Sequence, residues 1–119
     1  MPSNTLDQAR HLLEKQAVLG QTLTYREFAS ALNITTAPVI KTCTDLLEAL
    51  IAQDSHLEQP ILAAIVVQQG TARIPRMGFY QTLIALHQYH GRTEGDEARR
   101  WHESEMVKLK SFYQARNDL

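Results

Sequence analysis

The stretch Pro60–Phe79, PILAAIVVQQGTARIPRMGF, decides the fold, because it holds the longest apolar segment of the chain and then turns back on itself. Ile61 to Val67 is apolar at every position and ends in β-branched residues, the pattern of a strand covered on both faces. A buried helical segment gives the same unbroken run. The strand is favoured because Pro60 blocks a helix from behind, and Gln68-Gln69-Gly70-Thr71 supplies a glycine-containing reversal. Thr71 to Ile74 is then the returning strand of a hairpin. It stops at Pro75, which has no N–H for a ladder, and hands over to a helix that begins near Phe79. Arg73 and Arg76 take the position of a wing on this hairpin; the alternative is an ordinary exposed loop with two solvated arginines.

Upstream of the hairpin the pattern is helical. Thr5 with Gln8 reads as a capping box, and Leu6, Ala9, Leu12, Leu13 and Ala17 share one helical face that Gly20 ends. Thr24 with Glu27 reads as a second capping box, for a short helix with Phe28, Ala29 and Leu32 turned inward and Asn33 at a left-handed exit. Thr36 caps a third helix with Pro38 in its first turn, which runs to about Gln53. Its apolar stripe is Val39, Ile40, Cys43, Leu46, Leu47, Leu50 and Ile51. The second and third helices, with Asn33-Ile34-Thr35 between them, have the length of a helix-turn-helix.

Downstream, Phe79 to His90 has no charged side chain apart from its histidines, which predicts a well-buried helix ended by Gly91. After a polar linker, Asp96 to about Arg116 is a helix dense in both signs of charge, with Trp101, Val107, Leu109, Phe112 and Tyr113 as apolar contacts. The expected fold is therefore mainly α with a small β-hairpin (α+β), a winged-helix-like helix-turn-helix domain with two added C-terminal helices. One domain spans residues 1–119, with its core at about 5–91 and the charged helix at about 96–116.

Composition sets the limits on function. The 44% apolar and 21% charged content of the 119 residues is that of an ordinary globule, and the net charge of −1 removes the global attraction typical of strong nucleic-acid binders. The single Cys43 allows no internal disulfide and no cysteine-rich zinc site. Its place on an apolar stripe makes it a small core side chain rather than a reactive thiol. No signal peptide is visible and no apolar run approaches the roughly 18 residues of a membrane span, so a cytoplasmic protein with no membrane partner is expected.

The segment Gly20 to Leu32, GQTLTYREFASAL, resembles the opening of the winged-helix domain of alkylguanine-DNA alkyltransferases and alkyltransferase-like proteins. The resemblance implies a winged helix and DNA as a partner. The family's Pro-Cys-His-Arg or Pro-Trp-His-Arg centre has no counterpart after helix three, so it implies no alkyl transfer. Thr24, Tyr25, Asp54, Pro60 to Val67, Pro75, Gly78, Phe79, Trp101 and Glu105 form a longer pattern similar to a family of small uncharacterised bacterial proteins. That similarity implies one continuous domain and no particular substrate.

No catalytic constellation stands out, and neither a P-loop nor a Rossmann glycine pattern occurs. His87 and His90 share a helix face with His102 on the next helix, a conceivable three-histidine metal site, although a hydrogen-bonded core imidazole is the simpler outcome for His87. Asp54 and Glu58 read as solvated loop acids. No cofactor, metal or catalytic residue is assigned.

The expected activity is therefore binding, not catalysis. Thr36, Lys41, Thr44, Arg73 and Arg76 are the candidates for contact with double-stranded DNA: Thr and Lys suit phosphates, and wing arginines suit a minor groove. A homodimer would double the patch. The competing class is a protein-interaction or adaptor domain, in which Trp101, Phe112 and Tyr113 of the last helix anchor a protein partner.

Overall fold

The computed structural model describes residues 4–117. The first helix, α1 (Thr5–Leu19), is capped by Asn4 and not by Thr5: the Asn4 side chain accepts from the Asp7 N–H at 2.7 Å. Ala9, Leu13 and Ala17 recur every four residues and form its buried stripe. Gly20 closes it at φ 67°, with its N–H on the Ala17 carbonyl, a conformation that costs a residue with a Cβ more than it costs glycine.

Strand β1 (Leu23–Thr24) leads directly into α2 (Tyr25–Ala31). The expected capping box is present: the Glu27 N–H donates to Thr24 Oγ1 at 3.1 Å, and the Thr24 N–H donates to Glu27 Oε1 at 2.8 Å. Phe28 and Ala29 are buried, and Asn33 adopts φ 57°, the left-handed exit read from its residue type.

Helix α3 (Val39–His56) is longer than expected at its C-terminus, and Thr36 does not cap it. Pro38 holds the N-cap position without a side-chain hydrogen bond. Its buried residues are Cys43, Leu47, Leu50, Ile51 and Asp54, whereas Ile40, expected on the stripe, is 47% exposed.

The hairpin does not form. Leu62–Ile65 is a 3-10 turn, and only Val66–Val67 is extended, as β2. It pairs in parallel with β1, Leu23 opposite Val66 and Thr24 opposite Val67. Thr71 to Ile74 is not a strand, because Arg73 turns left-handed at φ 44° and Pro75 follows without an N–H. The reversal is closed instead by the Gln68 N–H on the Ile74 carbonyl at 2.9 Å. The 3-10 turn packs against α1, α3 and α5 and is fully buried. A run with no polar position carries no period, so burial on all sides suits a tight helix as well as a strand.

Helix α4 (Met77–Ala85) is shorter than the expected Phe79 to His90: it ends at Leu86, His87 turns left-handed at φ 60°, and Ile84 and Leu86 are exposed. Phe79, Tyr80 and Leu83 are buried, and Tyr80 donates to the Ala98 carbonyl at 2.9 Å, fastening α4 to α5 (Gly95–Asn117). Leu109 and Tyr113 of α5 bury against α1, and Gln114 donates to the Val18 carbonyl at 3.1 Å. Five α-helices and one two-stranded parallel sheet make the described chain mainly helical. None of these helices is long and apolar enough to cross a membrane.

Candidate functional site

The parallel pairing of β2 with β1 carries the following loop, residues 68–76, back onto the start of α2. Every residue from Gln68 to Arg73 is exposed. Arg73 Nη2 reaches Thr22 Oγ1 at 3.4 Å, and the Arg76 guanidinium lies 5.5 Å from the centre of the Tyr25 ring, in a cation–π arrangement. Arg26 follows in the first turn of α2. Two exposed arginines thus rest on Thr22 and Tyr25, with exposed Arg26 next in the chain, and none of the three forms an ion pair among the described residues. Glu27 shares the neighbourhood, but its carboxylate is held by the cap. Its pKa is lowered chiefly by the Thr24 N–H, then by the Thr24 hydroxyl, with the charge of Arg73 a lesser cause.

Beside the arginines a cavity of about 210 Å³ opens between α3 and the start of α4. Tyr25, Ile40, Ile51 and Phe79 supply its apolar lining, and Thr44, Glu48 and Arg76 its polar groups. Burial pushes the Tyr25 phenol above its ordinary range, opposed by the Arg76 N–H and guanidinium, so it stays a hydroxyl at neutral pH. An apolar slot with a carboxylate, a guanidinium and two hydroxyls can hold a flat or aliphatic group by burial and orient it by hydrogen bonds. The slot contains neither a nucleophile paired with a base nor two facing carboxylates.

Of the residues expected to meet DNA, the fold brings together Thr44 and Arg76, which line the cavity, and Arg73 on the adjoining loop. Thr36 is exposed in the turn before α3. Lys41 is exposed but bound to Asp45 one turn on, Nζ to Oδ2 2.9 Å, so much of its charge is locally cancelled.

The three aromatic residues of α5 are packed rather than displayed. Trp101 is half-buried in a cluster of rings with Phe79 at 5.6 Å, Tyr80 at 5.8 Å and Tyr89 at 5.9 Å. Phe112 is half-buried and Tyr113 is 3% exposed; their rings lie 4.9 Å apart, with the Arg116 guanidinium over both. Val107, 70% exposed, is the large apolar side chain that α5 does present.

The histidines do not assemble. His87 and His90 are exposed, contrary to the core position expected for His87, while His102 is buried with Nε2 2.8 Å from the Ala64 carbonyl. Among the described residues no group of three His, Cys, Asp or Glu side chains could hold a metal ion. Cys43 is fully buried, and desolvation pushes its thiol pKa up.

Sequence reasoning missed a second polar constellation, at the start of the 3-10 turn. Asp54 is fully buried and not a solvated loop acid. It accepts from Arg10 Nη2 at 2.9 Å and from the Leu62 N–H at 3.1 Å. Glu105, 6% exposed, accepts from the Ile61 N–H at 2.7 Å. The signal was present in the spacing: Asp54 continues the Cys43, Leu47, Leu50 stripe of α3, and Glu105 stands between His102 and Leu109 on the buried stripe of α5. Only Glu58 of the expected pair is exposed. In a comparison with known proteins, the chain matches no family model, no curated protein and no solved structure.

Proposed function

We propose that this chain is a non-catalytic binding module, winged-helix-like in plan, that associates with double-stranded DNA through α2, the outer face of α3 and the 68–76 loop acting as a wing. The observation that carries the proposal is the pair Arg73 and Arg76, resting on Thr22 and Tyr25 with Arg26 next in the chain, all three exposed and free of ion pairs among the described residues. Guanidinium groups held on a projecting loop and on a helix N-terminus suit phosphate contact, which fixes a protein on a duplex independently of sequence. Thr44 on α3 and Thr36 in the turn before it add hydroxyl donors. Lys41 contributes less, because Asp45 holds it.

With a net charge of −1 and about three phosphates neutralised, affinity is modest and salt-sensitive: log Kd against log salt has a slope of about 3 in magnitude. The test is titration of labelled mixed-sequence duplex at low and moderate salt, with mass in solution measured alongside. Arg73→Ala combined with Arg76→Ala weakens binding by a similar factor on every sequence and cuts the slope by about 2. A folded protein that fails to bind at low salt overturns the proposal.

An adaptor role is the second reading, supported by Ile40 at 47% and Met77 at 55% exposure close to the same cavity. Large apolar side chains beside a preformed slot suit an anchor residue of a protein partner. Loss of partner capture on Ile40→Glu, with DNA binding absent, distinguishes this outcome.

A further inference from the structure

The backbone of the buried 3-10 turn is held by side chains of α3 and α5, and α1 braces one of them. A short helix leaves its first N–H groups without internal partners, and inside a protein each such donor needs an acceptor. Here the Ile61 N–H donates to Glu105 Oε2 of α5 at 2.7 Å, and the Leu62 N–H donates to Asp54 Oδ2 of α3 at 3.1 Å. Arg10 of α1 neutralises Asp54 at 2.9 Å, and its Nη2 also donates to Gln53 Oε1 at 2.9 Å. His102 of α5, one turn before Glu105, holds the Ala64 carbonyl at 2.8 Å. The Ile61 and Leu62 N–H groups that open the turn and the Ala64 carbonyl within it are thus each bonded by a buried side chain. That turn ends in Val66–Val67, whose register with Leu23–Thr24 sets where the arginine loop begins.

We infer that Asp54 and Glu105 are positioning residues for the arginine loop: by taking the two leading N–H groups of the 3-10 turn, they fix the register of β2 on β1 and so hold Arg73 and Arg76 over Thr22 and Tyr25. The inference rests on the binding role proposed above for that loop. Two buried carboxylates are a costly way to hold a turn that apolar packing already covers, since each must be desolvated. What they add over packing is direction, because a carboxylate that accepts a particular N–H allows one register where an apolar run allows several.

The experiment compares Glu105→Ala, Glu105→Gln and Asp54→Asn with the control Leu109→Ala, a core truncation one turn along α5 that touches no backbone polar group of the turn. All are measured at a temperature where each variant is folded by circular dichroism. The first readout is amide hydrogen exchange. In Glu105→Ala, protection of Val66, Val67 and Gln68 falls at least tenfold more than in α1, whereas Glu105→Gln, which keeps an acceptor for Ile61, restores it. Asp54→Asn gives an intermediate result. The second readout is the salt slope of duplex binding, which falls by about 2 in Glu105→Ala as both loop arginines leave the interface and stays unchanged in Leu109→Ala.

If exchange of Val66 to Gln68 in Glu105→Ala follows that in α1, or if Leu109→Ala reproduces the local loss, the positioning role is wrong. Local loss of protection with rescue by Gln, in a protein that never binds duplex, sustains the positioning role and removes the DNA reading alone. Should Glu105→Ala not fold, Asp54→Asn against Leu109→Ala decides the same question.

Discussion

Two adjoining stretches of this chain are built on opposite terms. From Ile61 to Val67 every residue is buried, and side chains of α3 and α5 fasten the turn within it, with Arg10 of α1 braced on Asp54. From Gln68 to Arg73 every residue is exposed, and the loop is held by the Gln68 closure and by two arginines resting on Thr22 and Tyr25. The first stretch cannot move without stranding buried donors, each worth about 1–3 kcal/mol when left unpaired. The second gives up little when its side chains move, because one 3.4 Å hydrogen bond and one cation–π contact hold its arginines. A rigid base carrying a cheaply displaced charged loop is the arrangement a binding surface needs, and the pairing of β2 with β1 is the joint between them.

The largest test of this contrast is Asp54→Ala. It leaves the Arg10 guanidinium and the Leu62 N–H without their acceptor, and stability in urea should fall by about 3–5 kcal/mol. A loss below about 1 kcal/mol would mean that packing alone holds the turn. Thr24→Ala removes the α2 capping box on the exposed side of the joint and should cost about 1 kcal/mol by the same measurement.

A smaller effect appears with pH. Burial raises the Glu105 pKa above 4.5, opposed by the Ile61 N–H, so its contribution to stability grows as pH falls through the raised value. Asp54 behaves alike: desolvation raises it against the Leu62 N–H and Arg10. Burial lowers the His102 pKa below 6.5, so its contribution is lost as pH falls from 6.5 toward that depressed value. His102→Gln, which keeps a donor for the Ala64 carbonyl, should therefore lose less stability than the native chain between pH 7 and pH 5. Equal pH profiles in parallel urea titrations would refute it. The smallest effect on stability is that of Asp45→Asn, because both partners of Lys41–Asp45 lie in solvent; stability should not change measurably, while duplex affinity rises as Lys41 is released.

What was legible in the sequence followed from local rules. The stripes of α1 and α3, the Thr24–Glu27 box, Gly20 as a helix stop and Asn33 in the left-handed region each depend on residues within a turn or two of one another. Errors lay at helix ends, where Asn4 and Pro38 took the cap positions read as Thr5 and Thr36. The candidate site was legible in part. Arg76 and Thr44 line one cavity with Arg73 on the adjoining loop, but Tyr25 and Glu48 join them only because α2, α3 and α4 meet there. Tyr113, read as a surface anchor, fills the contact between α1 and α5, since an aromatic side chain on a mixed helix face has the same spacing whether it is covered or bare.

By itself, then, the sequence determined a mainly helical chain, the order of its five helices and the faces that two of them bury, because a helix repeats every 3.6 residues and writes its buried side into the spacing. Tertiary structure alone decided what Ile61–Val67 became. An unbroken apolar run has no period to read, and the partners that settled it, Asp54 and Glu105 for its N–H groups and Leu23–Thr24 for its strand, lie up to 44 positions away along the chain.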